Sequence, residues 1–189
     1  MKNNKFLVVD TETGGLDCDK HSILSIAGVF WEPKKEVHKL FDFYVKEEEI
    51  SYVDKALQVN KIDLEVVAKE GLTPLETVYA IRYILDHKLG TKRSPIQLVA
   101  HNAPFDLGFI KRLYRLANKN FYKDFKDRAI DTCSVLQFMQ ISGKATGDRA
   151  SADVLFENAG VKIPASERHT AMGDALATAK SLDVILDKM

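Results

Sequence analysis

The order of strand-like and helical segments limits the folds open to this chain more than any other feature of its sequence. Three β-prone apolar runs, over residues 6–12, 23–31 and 37–45, all precede residue 46. The segments that join them are short, and residues 33–35, Pro-Lys-Lys, are typical of a turn. Three strands with such tight spacing predict an antiparallel three-strand meander.

Helical patterns alternate with short apolar runs in the rest of the chain. Thr73, Pro74 and Glu76 are typical of a helix start, and apolar residues follow them at helical spacing. Strands first, then strands mixed with helices, predict one α/β domain over residues 1–189, with a mixed β-sheet flanked by helices. The further predicted elements are strands over residues 96–100 and 129–131, a helix over 105–116, a helix up to about residue 141, and a helix over 151–160.

Composition argues against several classes of protein. An apolar fraction of 46% with 29% charged residues is ordinary for a globular protein, which argues against disordered, collagen-like and disulfide-framework classes. The 27 Lys and Arg balance the 27 Asp and Glu, so the formal net charge is zero. This balance argues against a strongly basic nucleic-acid binder, although a balanced sum can hide a separated distribution.

Segment 111–128 shows such a separated charge. It holds seven Lys and Arg against Asp124 and Asp127, with four aromatic residues interleaved. Basic groups that neutralise phosphates and aromatic rings that stack on bases suit single-stranded nucleic acid. The alternative is a solvated helix face whose aromatic residues, above all Phe121 and Phe125, turn inward. The residues that would extend the surplus are Lys88, Lys92 and Arg93.

The chain shows no sign of a secretory signal or a membrane span. The apolar run behind the N-terminus covers only residues 6–9, and the longest mostly apolar stretch, 23–31, is half the length of a span. Cys18 and Cys133 are the two cysteines, and neither lies in a paired-cysteine metal motif. We expect two free thiols, a cytoplasmic location and no membrane partner.

Acidic residues follow apolar segments at separate places in the chain. Asp10 and Glu12 end the first strand, and their spacing places both side chains on one face. Asp106 lies at the head of the helix after the fourth strand, and Asp174 lies in the first turn of the last helix. Taken singly, each has a structural explanation, as a solvated strand end or as a favourable charge at a helix N-terminus.

Taken together, the four carboxylates predict a metal site. Hard divalent cations such as Mg²⁺ prefer carboxylate oxygens, and two such ions can stabilise both oxygens of a phosphodiester displacement. If Thr170 caps the last helix, His169 lies just outside it and is free to move. Since a histidine titrates near neutral pH, His169 suits the role of general base. The alternative is a surface histidine without a catalytic role.

Three motifs in this order resemble those of the DEDDh 3′→5′ exonuclease family, the RNase H-like group that holds the proofreading subunit of bacterial replicative DNA polymerase and RNase T. They are Asp10-x-Glu12, then His101-Asn102-x-x-Phe105-Asp106, then His169-x-Ala171-x-x-Asp174. The likeness also includes residues 56–62, 130–132 and 152–156 and so covers nearly the whole chain.

The resemblance implies an RNase H-like fold and two divalent cations, Mg²⁺ or Mn²⁺. Asp10, Glu12 and Asp174 would hold the ion that carries the attacking water, and Asp106 would help Asp10 to hold the second. His169 would take a proton from that water. The product would be a nucleoside monophosphate, released stepwise from the 3′ end.

The resemblance also implies a set of substrate-side residues. Thr13, Leu16 and Phe105 would frame the 3′-terminal nucleotide, with Leu16 or a neighbour wedged between the last two bases, although turn or core packing explains all three equally well. His101 more readily braces a strand end. Asp131 is more readily a helix-end or strand-end residue than a metal ligand. The predicted substrate-binding set is Thr11, Thr13, Leu16, Asn60, His101 and Phe105.

Two positions depart from the family pattern. Asn60 stands where the proofreading subunit carries a histidine and RNase T an asparagine, which weakens the case for DNA proofreading. Gly14 replaces a second threonine, and we expect it to loosen the loop over the site without removing a metal ligand.

The leading hypothesis is a 3′→5′ exonuclease on single-stranded or frayed DNA. The alternatives are a 3′→5′ exoribonuclease, similar to RNase T or an oligoribonuclease, and a non-catalytic nucleic-acid- or polymerase-binding module. A DNA polymerase or replication factors are further candidate partners. Because the chain ends at Met189 without a tail for tethering, we expect a free-standing enzyme or the catalytic core of a longer protein.

Overall fold

A five-stranded mixed sheet forms the centre of the protein. The computed structural model describes residues 5–90 and 94–189; Lys92 and Arg93, predicted to extend the basic surplus, lie outside them. The strands are β1 (Phe6–Thr13), β2 (Ile23–Trp31), β3 (His38–Tyr44), β4 (Gln97–Ala100) and β5 (Ile130–Asp131). In the order β3-β2-β1-β4-β5, the first three strands are antiparallel, and β4 and β5 run parallel to β1.

The meander, the mixed sheet and all five strands are confirmed, with bounds within one residue of the prediction. Seven α-helices are described. They are α1 (Asp54–Asn60), α2 (Leu64–Glu70), α3 (Pro74–Ile84), α4 (Ala103–Leu116), α5 (Thr132–Ile141), α6 (Ala152–Ala159) and α7 (Ala171–Lys188). The sequence analysis missed α1, α2, a single π-helical turn over Leu85–Leu89 and a short 3₁₀ turn over Phe121–Lys123.

The predicted helix ends have local causes that the structure shows. The Thr73 hydroxyl and the Glu76 carboxylate form a reciprocal capping box at the start of α3. The Ser151 side chain accepts the Val154 N–H at the start of α6, and Gly160 ends α6 in the left-handed conformation. Thr170 caps α7 by accepting the Gly173 N–H.

Strand alternation divides the core into two layers. Leu7 and Val9 on β1 belong to the buried cluster formed with α3 and α4. Phe6 and Val8 belong to the cluster on the opposite face, formed with α5, α6 and α7. Because side chains alternate along a strand, the residues after Val9 continue this division, with even-numbered ones toward α7 and odd-numbered ones toward α4.

The structure bears on the predicted state of the cysteines and on the prediction about membrane spans. Cys18 and Cys133 are both free, as predicted. Among the helices of residues 5–90 and 94–189, none combines the length and the apolar character that crossing a bilayer requires. The cytoplasmic location stays a prediction.

Candidate active site

Three carboxylates from two elements meet at the C-terminal end of β1. Asp10 and Glu12 point to the α7 side of the sheet, and Asp174 lies in the first turn of α7. One carboxylate oxygen from each of the three lies within 4.8 Å of the others. The structure thus brings Asp10, Glu12 and Asp174 together, and the cluster has the form of a cation site.

The turn before α7 brings Asp174 close to β1. Gly173 packs directly on this turn, since a Cβ at this position would lie 2.0 Å from the Glu167 carbonyl oxygen. Asp174 is 7% exposed, and its two carboxylate oxygens differ. Oδ2 accepts from the Arg168 guanidinium, whereas Oδ1 is buried and has no hydrogen-bond partner among the residues that the structure describes. A buried carboxylate oxygen without a donor is an acceptor that a cation would satisfy.

Asp106 approaches the cluster from the other side of β1. Thr11, the odd-numbered residue between the two acids, points toward α4 and holds Asp106. Its backbone N–H and its hydroxyl both donate to Asp106 Oδ1, each at 2.9 Å. Asp106 is 3% exposed and lies outside the set of three close carboxylates. Thr11, predicted to bind substrate, therefore serves in this structure to hold the fourth acid.

Crowding and burial disfavour the charged forms of these acids. Burial is the main cause that raises the pKa of Glu12 to about 8, with Asp174 and Asp106 adding repulsion. Burial also raises the pKa of Asp106 to about 7, against the opposing hydrogen bonds from Thr11. The pKa of Asp10 rises well above its ordinary value through burial and through Asp106, Glu12 and Asp174. Divalent cations would remove this repulsion, so the residues present fit the predicted metal.

His169 lies directly before α7, exposed and with a left-handed backbone at φ 62°. Its position outside the helix agrees with the prediction. Arg168 Nη1 donates to His169 Nδ1 at 3.3 Å. Because Nδ1 accepts this hydrogen bond, the ring must turn away from Arg168 before that nitrogen can accept a proton from water.

An apolar cleft adjoins the cluster on the side of Glu12. Its volume is about 320 Å³, and Thr11, Thr13, Leu16, Asn60 and Phe105 are among its lining residues. Leu16 is 86% exposed at the rim, as a wedge between bases would require. The predicted substrate-side residues thus lie together, with the exception of His101, and the cleft is of a size that suits one nucleoside.

A second, polar cavity lies on the other side of Glu12. Its volume is about 450 Å³, and it is lined by Glu12 and Asn60 and by Arg168 and His169 of the turn before α7. Glu12 and Asn60 border both cavities. Glu12 of the carboxylate cluster therefore borders both an apolar space and a polar one.

Two of the predicted substrate residues have their polar atoms engaged within the protein. Asn60 Nδ2 donates to the Thr13 carbonyl, and Asn60 Oδ1 accepts from the Ile62 N–H, each at 3.1 Å. His101 Nε2 lies 2.9 Å from the Ala150 carbonyl, and its Nδ1 lies 2.9 Å from the Thr132 hydroxyl. Burial lowers the pKa of His101 and so favours the neutral ring, which braces this end of β4.

Asp131 is a helix cap, as the sequence suggested. Its carboxylate accepts from the backbone N–H groups of Cys133 and Ser134 at the start of α5 and from those of Asn102 and Ala103 at the start of α4. Burial acts to raise the pKa of Asp131, but these hydrogen bonds and that of the Ser134 hydroxyl outweigh it, and the pKa is lowered. The carboxylate therefore joins two helix starts that flank the site.

One expectation from the sequence is wrong and another is reduced. Gly14 does not loosen its loop, because its N–H and carbonyl bond to Ser22 and Val53 and a Cβ would lie 2.3 Å from the Ser51 carbonyl oxygen. Three of the seven basic residues of segment 111–128 form ion pairs, one of them with an acid of the same segment, so the structure reduces the predicted basic surplus without removing it. The pairs are Arg112 with Glu47, Arg115 with Asp19 and Lys111 with Asp127.

The aromatic residues of segment 111–128 were predicted either to stack on bases or to turn into the core. Phe121 and Phe125 are 5% and 2% exposed and pack against Tyr114, so they do turn inward. Tyr122 is exposed, with the Lys111 ammonium 5.7 Å from its ring centroid. The segment begins inside α4, and the far end of this 14-residue helix lies about 20 Å from its start beside the cluster.

Sequence reasoning missed Arg168 and part of the apolar cleft. Val53 and Val59, at the two ends of α1, line the cleft and are 46% and 48% exposed. The signal in the sequence for this part of the cleft was the pair of valines within one short segment. Arg168 carried no signal, because its partners Asp153 and Asp174 become apparent only once α6 and α7 pack together.

The fold is shared with known nucleases. A crystal structure of E. coli Exonuclease I in complex with a dT13 oligonucleotide matches 97% of this chain and 41% of that chain, with a TM-score of 0.77 and 17% identity. A family model described as exonuclease matches residues 7–182. The chain belongs to this exonuclease family, and the predicted resemblance is confirmed.

Curated relatives cover most of this chain. The DNA polymerase III subunit epsilon of Haemophilus influenzae is 28% identical over 178 residues, which are 91% of this chain and 63% of that protein. Ribonuclease T of Yersinia pseudotuberculosis is 29% identical over 184 residues, which are 92% of this chain and 80% of that protein. The chain spans less than two thirds of the length of the first curated relatives that it matches.

Proposed function

We propose that this protein is a metal-dependent 3′→5′ exonuclease that releases nucleoside monophosphates from single-stranded or frayed DNA. The observation that carries the proposal is the cluster of Asp10, Glu12 and Asp174, with the partnerless Asp174 Oδ1, beside an apolar cleft. Membership of the exonuclease family supports the reaction class. We propose further that residues 1–189 form one catalytic domain.

Each part of the site has a role in this proposal. Asp10, Glu12 and Asp174 would hold one divalent cation, and Asp10 with Asp106 a second. Bound there, Mg²⁺ or Mn²⁺ supplies Lewis-acid stabilisation of the charge that develops on the phosphodiester oxygens. Thr11 fixes Asp106, and Asp131 fixes the start of α4 on which Asp106 lies.

The apolar cleft would bind the terminal nucleoside. Leu16 at the exposed rim would separate its base from the preceding one, and Phe105 would lie against it. Asn60 holds the Thr13 carbonyl and so sets the shape of the cleft. His169, once turned away from Arg168, would accept the proton of the attacking water, and its exposure lets it then release that proton to solvent.

Single-stranded nucleic acid is the proposed partner, with DNA favoured over RNA. The structural relative that holds a dT13 oligonucleotide supports this preference, whereas the Ribonuclease T relative supports the RNA alternative. Association with a DNA polymerase follows from the epsilon relatives, and we propose it together with a cytoplasmic location. Co-purification of a tagged chain from its own cells would test that association.

The test is digestion of matched DNA and RNA oligomers, single- and double-stranded, with Mg²⁺ or Mn²⁺. We expect shortening of single-stranded DNA and no activity in EDTA. Faster digestion of RNA than of DNA would favour the exoribonuclease alternative. Binding without hydrolysis, at every metal concentration, would favour the non-catalytic module.

A further inference from the structure

Arg168 joins two acidic residues from different helices beside the cluster. Its Nε donates to Asp153 Oδ1 on α6 at 2.8 Å, and its Nη1 donates to Asp174 Oδ2 on α7. The guanidinium carbon lies 5.7 Å from the ring centroid of Phe156. The side chain is only 18% exposed. Arg168 is therefore held by three contacts. Asp153 and Phe156 of α6 provide two of them, and Asp174 of α7 provides the third.

The contact with Asp174 is selective for one of the two carboxylate oxygens. Oδ2 accepts from Arg168, and the opposite oxygen, Oδ1, is buried without a partner. If the carboxylate turned partway about its Cβ–Cγ bond, the free oxygen would leave its place beside Asp10 and Glu12 and the cation site would change. A planar guanidinium with a fixed stem opposes such rotation better than an ammonium on a flexible chain.

We propose that Arg168 is a positioning residue that holds Asp174 so that Oδ1 serves as the metal-binding oxygen, with Asp153 as its anchor. The inference rests on the metal site of the proposed function. Groups that hydrogen-bond to a ligating side chain orient that ligand, and their loss weakens metal binding about 10- to 100-fold. The fixed positive charge also opposes the repulsion among Asp10, Glu12 and Asp174.

The geometry distinguishes this role from that of a competing counterion. A counterion would occupy the space among the ligand oxygens and would have to leave before a metal could bind. Arg168 instead approaches Asp174 from the side of α6 and leaves Oδ1 without a protein donor. The two roles predict opposite effects of removing the guanidinium on metal affinity.

The experiment measures Mn²⁺ affinity by calorimetry in the absence of nucleic acid. We expect Arg168→Gln to weaken binding about 10- to 100-fold. Asp153→Asn, which removes the negative charge of the anchor and keeps the guanidinium, should weaken it in the same direction by a smaller factor. Arg149→Gln changes an exposed arginine elsewhere and should bind Mn²⁺ as the unaltered protein does.

A charge-preserving variant separates position from charge. Arg168→Lys keeps one positive charge but lacks the planar fork that reaches Asp153 and Asp174 together, so its affinity should stay close to that of Arg168→Gln. Circular dichroism and thermal unfolding in EDTA establish that each variant is folded. If Arg168→Gln is unfolded, Asp153→Asn carries the test.

Three results would overturn the proposal: unchanged or tighter Mn²⁺ binding by folded Arg168→Gln, full affinity in Arg168→Lys, or unchanged affinity in Asp153→Asn. Because the readout is metal binding, its failure is distinct from that of the proposed function. Mn²⁺ binding that depends on Arg168 in a protein without nuclease activity would support the positioning role and contradict the exonuclease.

Discussion

Alternation along β1 assigns each residue of the segment 10–12 to a different task. The two acids face α7 and Asp174, whereas Thr11 faces α4 and fixes Asp106 with two hydrogen bonds. Such a division follows from the two-residue period of a strand and needs no irregular backbone. At the scale of single residues, the chemistry depends on which face of β1 each side chain occupies.

His169 should act on the rate and not on metal binding. His169→Ala is expected to lower the rate of hydrolysis by about 10²- to 10⁴-fold, the usual loss for a general base. Mn²⁺ affinity should stay the same, because His169 lies outside the carboxylate cluster. His38→Ala, at an exposed position at the start of β3, is the matched control. An unchanged rate for His169→Ala would remove this residue from the mechanism.

The raised pKa values of the acids make stability depend on pH in the absence of metal. In the unfolded chain Glu12 and Asp106 lose their protons near their ordinary values of 4.5 and 3.8, but in the folded protein near 8 and 7. Between about pH 4 and pH 8 the folded state therefore binds more protons, and the free energy of unfolding falls as the pH rises. The slope is about 1.4 kcal/mol per pH unit for each proton by which the two states differ.

Urea titrations in EDTA at several pH values measure this slope. Saturating Mg²⁺ should flatten it, because the metal displaces the protons from the ligands. Asp10→Asn, which removes one of the crowded charges, should flatten it as well. Stability that rises with pH over this range in EDTA would contradict the account of the cluster.

At the scale of elements, the sequence predicts those that are long or carry their own end signals. The alternating or fully apolar runs gave all five strands, and the capping residues Thr73, Ser151 and Thr170 gave three helix starts. Helix α1 was missed because it has only seven residues and its N-cap, Val53, forms no side-chain cap. The formation of α1 depends on tertiary contacts, which the pattern of residues along the sequence does not show.

The pair of Arg112 and Glu47 connects α4 to the segment after β3. Glu47 is 5% exposed and also accepts from the Ser22 hydroxyl and the Ile23 N–H. Arg112→Ala would leave this carboxylate buried without its cation, at a cost of about 3–5 kcal/mol in the free energy of unfolding. Urea denaturation checks this value. Arg115→Ala, which breaks the exposed pair with Asp19, should change stability little, and equal losses for both variants would refute the assignment.

The rim of the apolar cleft should govern substrate handling and not stability. Leu16→Ala removes an apolar side chain that is 86% exposed, so thermal unfolding should be unchanged. If Leu16 separates the terminal bases, kcat/KM on an oligonucleotide should fall several-fold, with Mn²⁺ affinity intact. Leu186→Ala on α7 is a control for loss of an exposed leucine, and an equal fall in kcat/KM for both would contradict a specific role of Leu16.

At the scale of the whole molecule, charge distribution is what the sequence predicts least well. The sequence predicts a basic surface over segment 111–128, but Arg112 and Arg115 pair with acids from distant segments, Glu47 and Asp19. Arg168 escaped notice for the same reason, since Asp153 and Asp174 flank it only after folding. The acidic motifs were predictable because each follows the end of a strand or the start of a helix.

Zero net charge is compatible with a nuclease for a related reason. Four of the 27 acids, Asp10, Glu12, Asp106 and Asp174, lie at one end of the sheet, where they repel one another in the absence of a cation. Two bound divalent cations would cancel the charge of these four carboxylates beside the apolar cleft. A global sum over the chain does not contain this information.

The direction and the metal dependence of hydrolysis can be measured together on a 5′-labelled single-stranded DNA oligomer. With Mg²⁺ we predict a ladder that shortens one nucleotide at a time from the 3′ end, with nucleoside monophosphates as products. The ladder should be absent when EDTA is added and absent when the Asp174→Asn variant is used. Immediate release of a labelled mononucleotide, internal cleavage, or a ladder that persists in EDTA would contradict a metal-dependent 3′→5′ exonuclease.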